Sequence, residues 1–152
     1  MPKWTRSCAD GPGAPAGTFV DYAPLHLLTT ASLHALDSAI EGEPIEPIRY
    51  RPNVIIASPE GSPRFAENAW LGGSVRIGEA VMLRVILPTP RCAIPTLAHG
   101  ALQCRPEALL GAAARNRLDV VGFGNLPCAG VYVDVRQEGA IRVGDQVMFS
   151  PA

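Results

Sequence analysis

A cysteine stands among three prolines in the segment Pro88-Thr89-Pro90-Arg91-Cys92-Ala93-Ile94-Pro95-Thr96. Each proline removes a ladder donor and fixes φ, so the segment is expected to form a stiff, extended rim and not a central strand. A thiol displayed beside the Arg91 guanidinium has a chemical use. The positive charge favours the thiolate, which is the form that attacks electrophiles or ligates soft metals. The same cysteine would serve equally as a small buried hydrophobe. Arg51 is the second candidate, in Arg49-Tyr50-Arg51-Pro52-Asn53. An extended chain would put both arginines on one face, with Pro52 keeping Arg51 out of the right-handed helical region. Arg51 and Asn53 could then grip a phosphate or a polar heterocycle, although a solvated strand end explains them as well. His26, His34 and His99 have no mutual spacing that suggests ligation. Cys8, Cys92, Cys104 and Cys128 form no C-x-x-C pair, so neither a structural metal nor a disulfide framework is indicated, and at most one cysteine is expected to do chemistry.

Composition narrows the field further. Thirteen basic residues face fourteen acidic ones, for a net charge of −1, which lacks the electrostatic footprint of a nucleic-acid binder and offers no polybasic patch to a membrane. Twelve of the basic residues are arginine and the only lysine is Lys3. That argues against pyridoxal phosphate bound as a Schiff base and against a P-loop, both of which need a lysine in the folded core. Arginine dominance suits planar, bidentate recognition of anions, and nucleotide-composition bias explains it equally. The first twenty residues lack the apolar run of a signal peptide, and no stretch has the roughly twenty apolar residues of a membrane-spanning helix. The sequence is therefore read as soluble and cytoplasmic.

The elements that must hold these residues are short. The chain has 152 residues, 47% of them apolar, enough for one domain with a real core. Fifteen glycines and fifteen prolines argue against a helical bundle and for strands joined by many turns. Residues 1–18 read as a flexible Pro/Gly-rich lead-in, and 19–152 as the domain. A helix is expected from Thr29 or Thr30 to Ile40 and another over Pro106–Arg115. Strands are expected over Ile48–Ala57 (interrupted by Pro52), Val75–Ile77, Ala80–Leu87, Gly130–Arg136 and Ala140–Phe149, and a short helical turn or loop over Glu67–Gly73. Arg76-Ile77-Gly78-Glu79-Ala80-Val81 and Arg142-Val143-Gly144-Asp145-Gln146-Val147 share an R-[IV]-G-[ED]-x-V pattern, which two similar hairpin turns explain without a duplicated domain. With so many strands, curling into a barrel is the economical way to remove exposed edges.

A set of segments, taken in order, resembles a known family. These are Pro24-Leu25-His26-Leu27-Leu28-Thr29-Thr30-Ala31-Ser32-Leu33, Tyr50-Arg51-Pro52-Asn53, Gly72 to Gly78, Thr89-Pro90-Arg91-Cys92, Gly130-Val131-Tyr132 and Val143-Gly144-Asp145. Together they look like the MOSC domain, named for the C-terminal domain of molybdenum cofactor sulfurases, over about residues 20–149. The resemblance implies a mainly β fold, a MOSC-type β-barrel with two or three peripheral helices. Its mouth would bind a molybdopterin-type cofactor or carry sulfur. The family's signature cysteine falls on Cys92, which in relatives resembling the amidoxime-reducing component ligates molybdenum. The resemblance places Arg51, Asn53 and Arg91 on the pterin phosphate side, and Tyr132 and Thr30 near the cofactor. It implies redox chemistry such as reduction of N-hydroxylated compounds, with an electron-transfer protein as partner. The alternatives are a persulfide carrier served by a cysteine desulfurase, without molybdenum, and a noncatalytic interaction barrel.

Overall fold

The computed structural model describes residues 22–152, so the lead-in expected over 1–18 lies outside the described residues. Strand β1 (Leu25–Thr29) runs straight into helix α1 (Thr30–Asp37); β2 (Val54–Ile56), β3 (Ser74–Ile77) and β4 (Val81–Pro90) follow, then helix α2 (Glu107–Arg115), β5 (Arg117–Val120), β6 (Gly124–Gln137) and β7 (Val147–Ser150). Short 3-10 turns occupy Pro47–Tyr50, Ala66–Trp70 and Ile94–Thr96. The strands form one seven-stranded sheet in the order β2-β1-β6-β4-β3-β7, with β5 paired to β6 off this path. Only β1 and β2 are parallel; the other pairs are antiparallel. The sheet curls strongly into a half-barrel carrying two α-helices, in line with the expected mainly β, barrel-type fold.

Period-two alternation builds one core. Val81, Leu83 and Val85 are buried while Arg84 between them is exposed, and they join Leu27, Val75, Ile77, Val131 and Val133 in a cluster made from β1, β3, β4 and β6. The neighbouring Leu28 points the other way. It meets Leu33, Leu36, Ile45, Tyr50, Ala108, Ala112 and Ala129, the apolar layer between the sheet and both helices. Burial on both faces explains why β1 reads as an almost continuous apolar run. At its end the Thr29 hydroxyl caps α1, accepting from the Ser32 amide at 3.2 Å, as a β-strand feeding a helix requires. Beneath that cap Glu67, fully buried, accepts from the hydroxyls of Thr29 at 3.0 Å and Ser32 at 2.8 Å.

Several boundaries differ from expectation. Helix α1 stops at Asp37, where Ser38 caps it, three residues before Ile40. The region expected as one strand over Ile48–Ala57 splits into a 3-10 turn and β2, because Arg51 adopts a left-handed conformation (φ 53°, ψ 46°) before Pro52. Strand β4 continues through Pro88 to Pro90, inside the segment expected not to be a central strand. The prolines are accommodated because β3 pairs only with residues up to Arg84, so at Pro88 and Pro90 the strand has β6 alone as a partner. Only Val147–Ser150 of the expected Ala140–Phe149 strand is regular, and neither β1 nor β5 is among the expected strands. The two similar turns meet one another: the Gly78 amide donates to Gln146 O at 2.9 Å, and β3 pairs with β7.

Candidate functional site

Where β4 and β6 pass beyond β3, their register shifts twice, between Val85 and Leu87 and between Pro88 and Pro90. Such irregularities bend a strand and re-aim its side chains. They bring the 3-10 turn at Pro47–Tyr50, the end of β4 and the start of β1 around a cleft of about 450 Å³. Cys92, Arg51, Asn53, Arg91 and Tyr132 all line it, with His26, Arg49, Tyr50 and Pro95. Thr30 does not. It opens α1 and borders a second depression with Ser58, whose amide donates to the Thr30 hydroxyl at 2.9 Å.

Cys92 is exposed and its backbone is held from both sides. The Arg91 amide donates to Pro127 O at 2.8 Å, and Ala93 O accepts from the amide of Thr96 at 2.9 Å and its hydroxyl at 2.7 Å. The Arg91 guanidinium reaches across the cleft to Tyr50 O at 2.7 Å and back to Pro90 O at 3.1 Å. Sequence adjacency to the cysteine therefore serves a second purpose, tying the Cys92 segment to the turn that carries Arg51. Arg49 makes the tie stronger. Its side chain is buried, and it bonds Glu46 at 2.6 Å, Gln103 O at 2.8 Å, and Pro95 O and Leu97 O at 3.4 Å each. The expectation that Arg49 and Arg51 share a face fails because the backbone turns between them. Arg49 points inward as a brace, while Arg51 is exposed and its side chain has no hydrogen bond among the described residues.

Asn53 joins the cleft to β1. Its Oδ1 accepts from the His26 amide at 2.7 Å and its own amide donates to His26 O at 2.8 Å, which leaves its Nδ2 without a partner among the described residues. Among the described residues no carboxylate lines the cleft, and with Arg49 paired to Glu46 its positive charge comes from Arg51 and Arg91, which suits an anion.

His26, whose spacing from the other histidines suggests no ligation, sits in the cleft wall, 5% exposed. Its Nε2 lies 2.8 Å from Ala129 O, an acceptor, so Nε2 carries the proton. Burial, with the Arg91 charge adding to it, pulls the His26 pKa down to about 4, against the pull of its backbone hydrogen bonds. The ring is neutral at pH 7. An unfolded His takes its proton near pH 6.5 and the folded one resists until about 4. Stability is thus full above pH 6.5 and falls by about 1.4 kcal/mol per unit between those values, about 3 kcal/mol in all. Chemical unfolding at pH 7, 5.5 and 4.5 should show this slope, and His26→Gln should flatten it; an unchanged slope would assign it to another group. Glu46, held down at about 2 chiefly by its hydrogen bond to Arg49, titrates in a lower window.

Two other groups are kept out of chemistry by burial. The Tyr50 hydroxyl donates to Ala108 O at 2.9 Å, and burial pushes its pKa up to about 12. The Cys128 thiol is likewise pushed up to about 11 by burial, which makes it a poor nucleophile. Gly130 determines how closely β6 passes His26. It has φ +76°, and a Cβ there would collide with His26 Nε2 and Leu27 O. Gly130→Ala should cost about 2–4 kcal/mol, combining left-handed strain with overpacking, and should displace the His26 ring, read as a lowered unfolding midpoint and shifted imidazole resonances.

Comparison with known proteins gives the family. A family model, the MOSC domain, matches residues 15–148. The chain belongs to the MOSC domain family. Similar proteins include mitochondrial amidoxime-reducing component 1 of Xenopus laevis, 34% identical over 133 residues, and that of Mus musculus, 32% identical over 133 residues. Mitochondrial amidoxime reducing component 2 of Rattus norvegicus is 29% identical. Each alignment takes in 85% of this chain and 37% of the relative, so this MOSC chain spans little more than a third of their length. Among solved structures, YiiM from Geobacillus stearothermophilus superposes with a TM-score of 0.53 at 18% identity, over 83% of this chain and 53% of that one, a likeness of fold. No helix among the described residues is long and apolar enough to cross a membrane.

Proposed function

We propose that the cleft binds a molybdopterin-type cofactor with Cys92 as a metal ligand, and that the protein reduces N-hydroxylated compounds. The observation that carries this reading is a single one: an exposed thiol in a cleft lined by Arg51 and Arg91 and, among the described residues, by no carboxylate. Among the described residues no group of three or more His, Cys, Asp or Glu converges, so a metal held here would take its remaining ligands from a non-protein group. A soft thiolate donor beside an anion-binding surface fits a metal carried by an anionic, sulfur-bearing organic cofactor. The names of the relatives supply the substrate class, amidoximes.

Each residue then has a task. Cys92 Sγ ligates the metal. The Arg51 guanidinium and Asn53 Nδ2, both without protein partners among the described residues, bond anionic oxygens of the cofactor. Arg91 adds positive charge while holding Tyr50 O, and Tyr132 forms part of the wall. When bound, the molybdenum centre supplies the redox chemistry. Reducing an amidoxime breaks its N–O bond and consumes two electrons and two protons, releasing water and the amidine; the electrons come from an electron-transfer protein. With a pKa of about 4, His26 is not a proton donor at neutral pH and instead holds the cleft wall through Ala129. Metal and pterin analysis of the purified protein tests the reading. Molybdenum and pterin in equal amounts support it. A metal-free, pterin-free protein with a persulfide on Cys92 would replace it with the sulfur-carrier reading.

A further inference from the structure

The edges of the sheet are not alike. Strand β2 stands at one end of the order β2-β1-β6-β4-β3-β7 and β7 at the other, and among the described residues neither has a second neighbour. Three residues long and bracketed by Pro52 and Pro59, β2 is guarded in the way that edge strands are kept from pairing. Strand β5, off that path, carries the charges of Arg117 and Asp119. Strand β7 has no such guard. From Val147 to Ser150 it holds neither a charge nor a proline, and Pro151 stops it only at its end. Met148 is 47% exposed and Phe149 37%, an apolar edge held in water.

The register of β7 on β3 fixes which of its backbone groups are spare. The Gly78 amide donates to Gln146 O at 2.9 Å, and the pairing continues through Ile77 opposite Val147, Arg76 opposite Met148, Val75 opposite Phe149 and Ser74 opposite Ser150. Antiparallel bonds fall on alternate pairs, so Met148 and Ser150 turn their N–H and C=O to β3, while Val147 and Phe149 turn theirs outward. Those outward groups have no strand to meet among the described residues. The side chains alternate too. Val147 packs on the barrel cluster and Phe149 stacks on Trp70 at 5.5 Å, both on the inner face, whereas Met148 lies on the outer face with its sulfur 3.9 Å from Arg76 Nη2.

We infer that β7 pairs antiparallel with β7 of a second copy of this chain, about a two-fold axis at Met148. In that register Val147 of each copy lies opposite Phe149 of the other, and these pairs exchange N–H···O=C bonds that use every spare group on both edges. The side chains match as well. Valine meets phenylalanine on the inner face, a β-branched and aromatic pair of the kind that stabilises sheets, and Met148 meets its counterpart on the outer face. No like charges are opposed within the strand, because it has none. An unrelated extended peptide offers backbone groups alone, whereas the second copy brings the complementary order of valine and phenylalanine and the same lack of charge. Four residues a side make a small interface, so the dimer is weak and forms only as concentration rises. Nothing in the cleft bears on this pairing, and the reading of Cys92 stands or falls separately.

Sedimentation equilibrium of the full chain over a wide range of concentration, with amide hydrogen exchange at each end of it, tests the pairing. A reversible monomer–dimer equilibrium is expected, in which the Val147 and Phe149 amides exchange fast in dilute solution and slow as the dimer fills, while those of Met148 and Ser150 change little. A chain that stays monomeric at every concentration overturns the inference. So does protection of Val147 and Phe149 that is independent of concentration, which would mean that the edge is covered within one chain. Val147→Pro removes an outward donor and none that β3 uses, so it should raise the dissociation constant about tenfold or more, and Val147→Thr, which keeps the donor, should not. An unmoved dissociation constant in Val147→Pro places the dimer elsewhere and overturns the pairing. Should that variant fail to fold, Met148→Cys decides. In a chain also carrying Cys8→Ser, Cys92→Ser and Cys104→Ser, oxidised glutathione should join two copies through position 148, since opposed residues of a non-hydrogen-bonded pair are close enough for a disulfide. Absence of that cross-link, or one formed as readily by Ile55→Cys on β2, overturns the pairing.

Discussion

If Cys92 ligates a metal as proposed, Cys92→Ser should leave a folded protein without molybdenum and without amidoxime reduction. Among the described residues that line the cleft, the exposed thiol is the only group with the softness to ligate molybdenum alongside sulfur donors, and a serine hydroxyl is neither ionised at neutral pH nor soft. Changing only the neighbours of a metal ligand costs ten- to a hundredfold in affinity or activity, so losing the ligand should cost more than about a hundredfold. Stability should barely move, because an exposed side chain contributes little packing. Molybdenum content by mass spectrometry, amidoxime turnover and thermal melting of the variant decide the matter together. Retained molybdenum would dismiss Cys92 as the ligand, and a large fall in melting temperature would make the residue structural. Cys104→Ser, also an exposed cysteine but outside the cleft lining, should keep both metal and activity.

Arg49→Met should be the most destabilising change at the site. The guanidinium is buried, and it donates to Gln103 O, Pro95 O, Leu97 O and the Glu46 carboxylate. Methionine fills similar volume but leaves those carbonyls without a donor. Glu46 is 41% exposed and water takes over much of its loss; the bond to Pro95 O is buried and those to Leu97 O and Gln103 O are part-buried, so losing all three should cost about 3–5 kcal/mol. The effect on function follows from position. Pro95 and Leu97 stand on one limb of the loop after Cys92 and Gln103 on the other, where the Arg105 amide donates to Thr96 O at 2.8 Å. Without the brace the Cys92 segment loses its fixed placement against Arg51. Denaturant unfolding should register the loss of stability, and alkylation of Cys92 under native conditions should become faster. Arg49→Lys should rescue little, since one ammonium cannot span carbonyls on both limbs as the planar fork does. Full stability in Arg49→Met would reduce the brace to a bystander.

The sequence by itself determined a mainly β, barrel-type fold with both α-helices near their expected places, and it singled out Cys92, Arg51, Asn53 and Arg91, which the fold brings into one cleft with Tyr132, a residue that only the family resemblance named. These were legible because their signals are local. Period-two alternation in β4, a capping threonine before α1 and prolines around a cysteine act on neighbouring residues whatever the rest of the chain does. Only the tertiary structure decided which arginine braces the site and which faces the cleft, because that depends on the left-handed turn at Arg51, forced where a 3-10 turn meets Pro52. It also decided that Pro88 and Pro90 end a strand, because a proline is tolerated where one neighbour is missing, and which neighbour is missing is a property of the sheet order. Thr30 lies in a different depression although it is one residue from the Thr29 cap, since successive residues at a strand-to-helix junction point to different sides. His26 gave no sign in the sequence. Its role comes from a chain segment about a hundred residues away, and contacts at that separation are specified by packing and register, not by spacing along the chain.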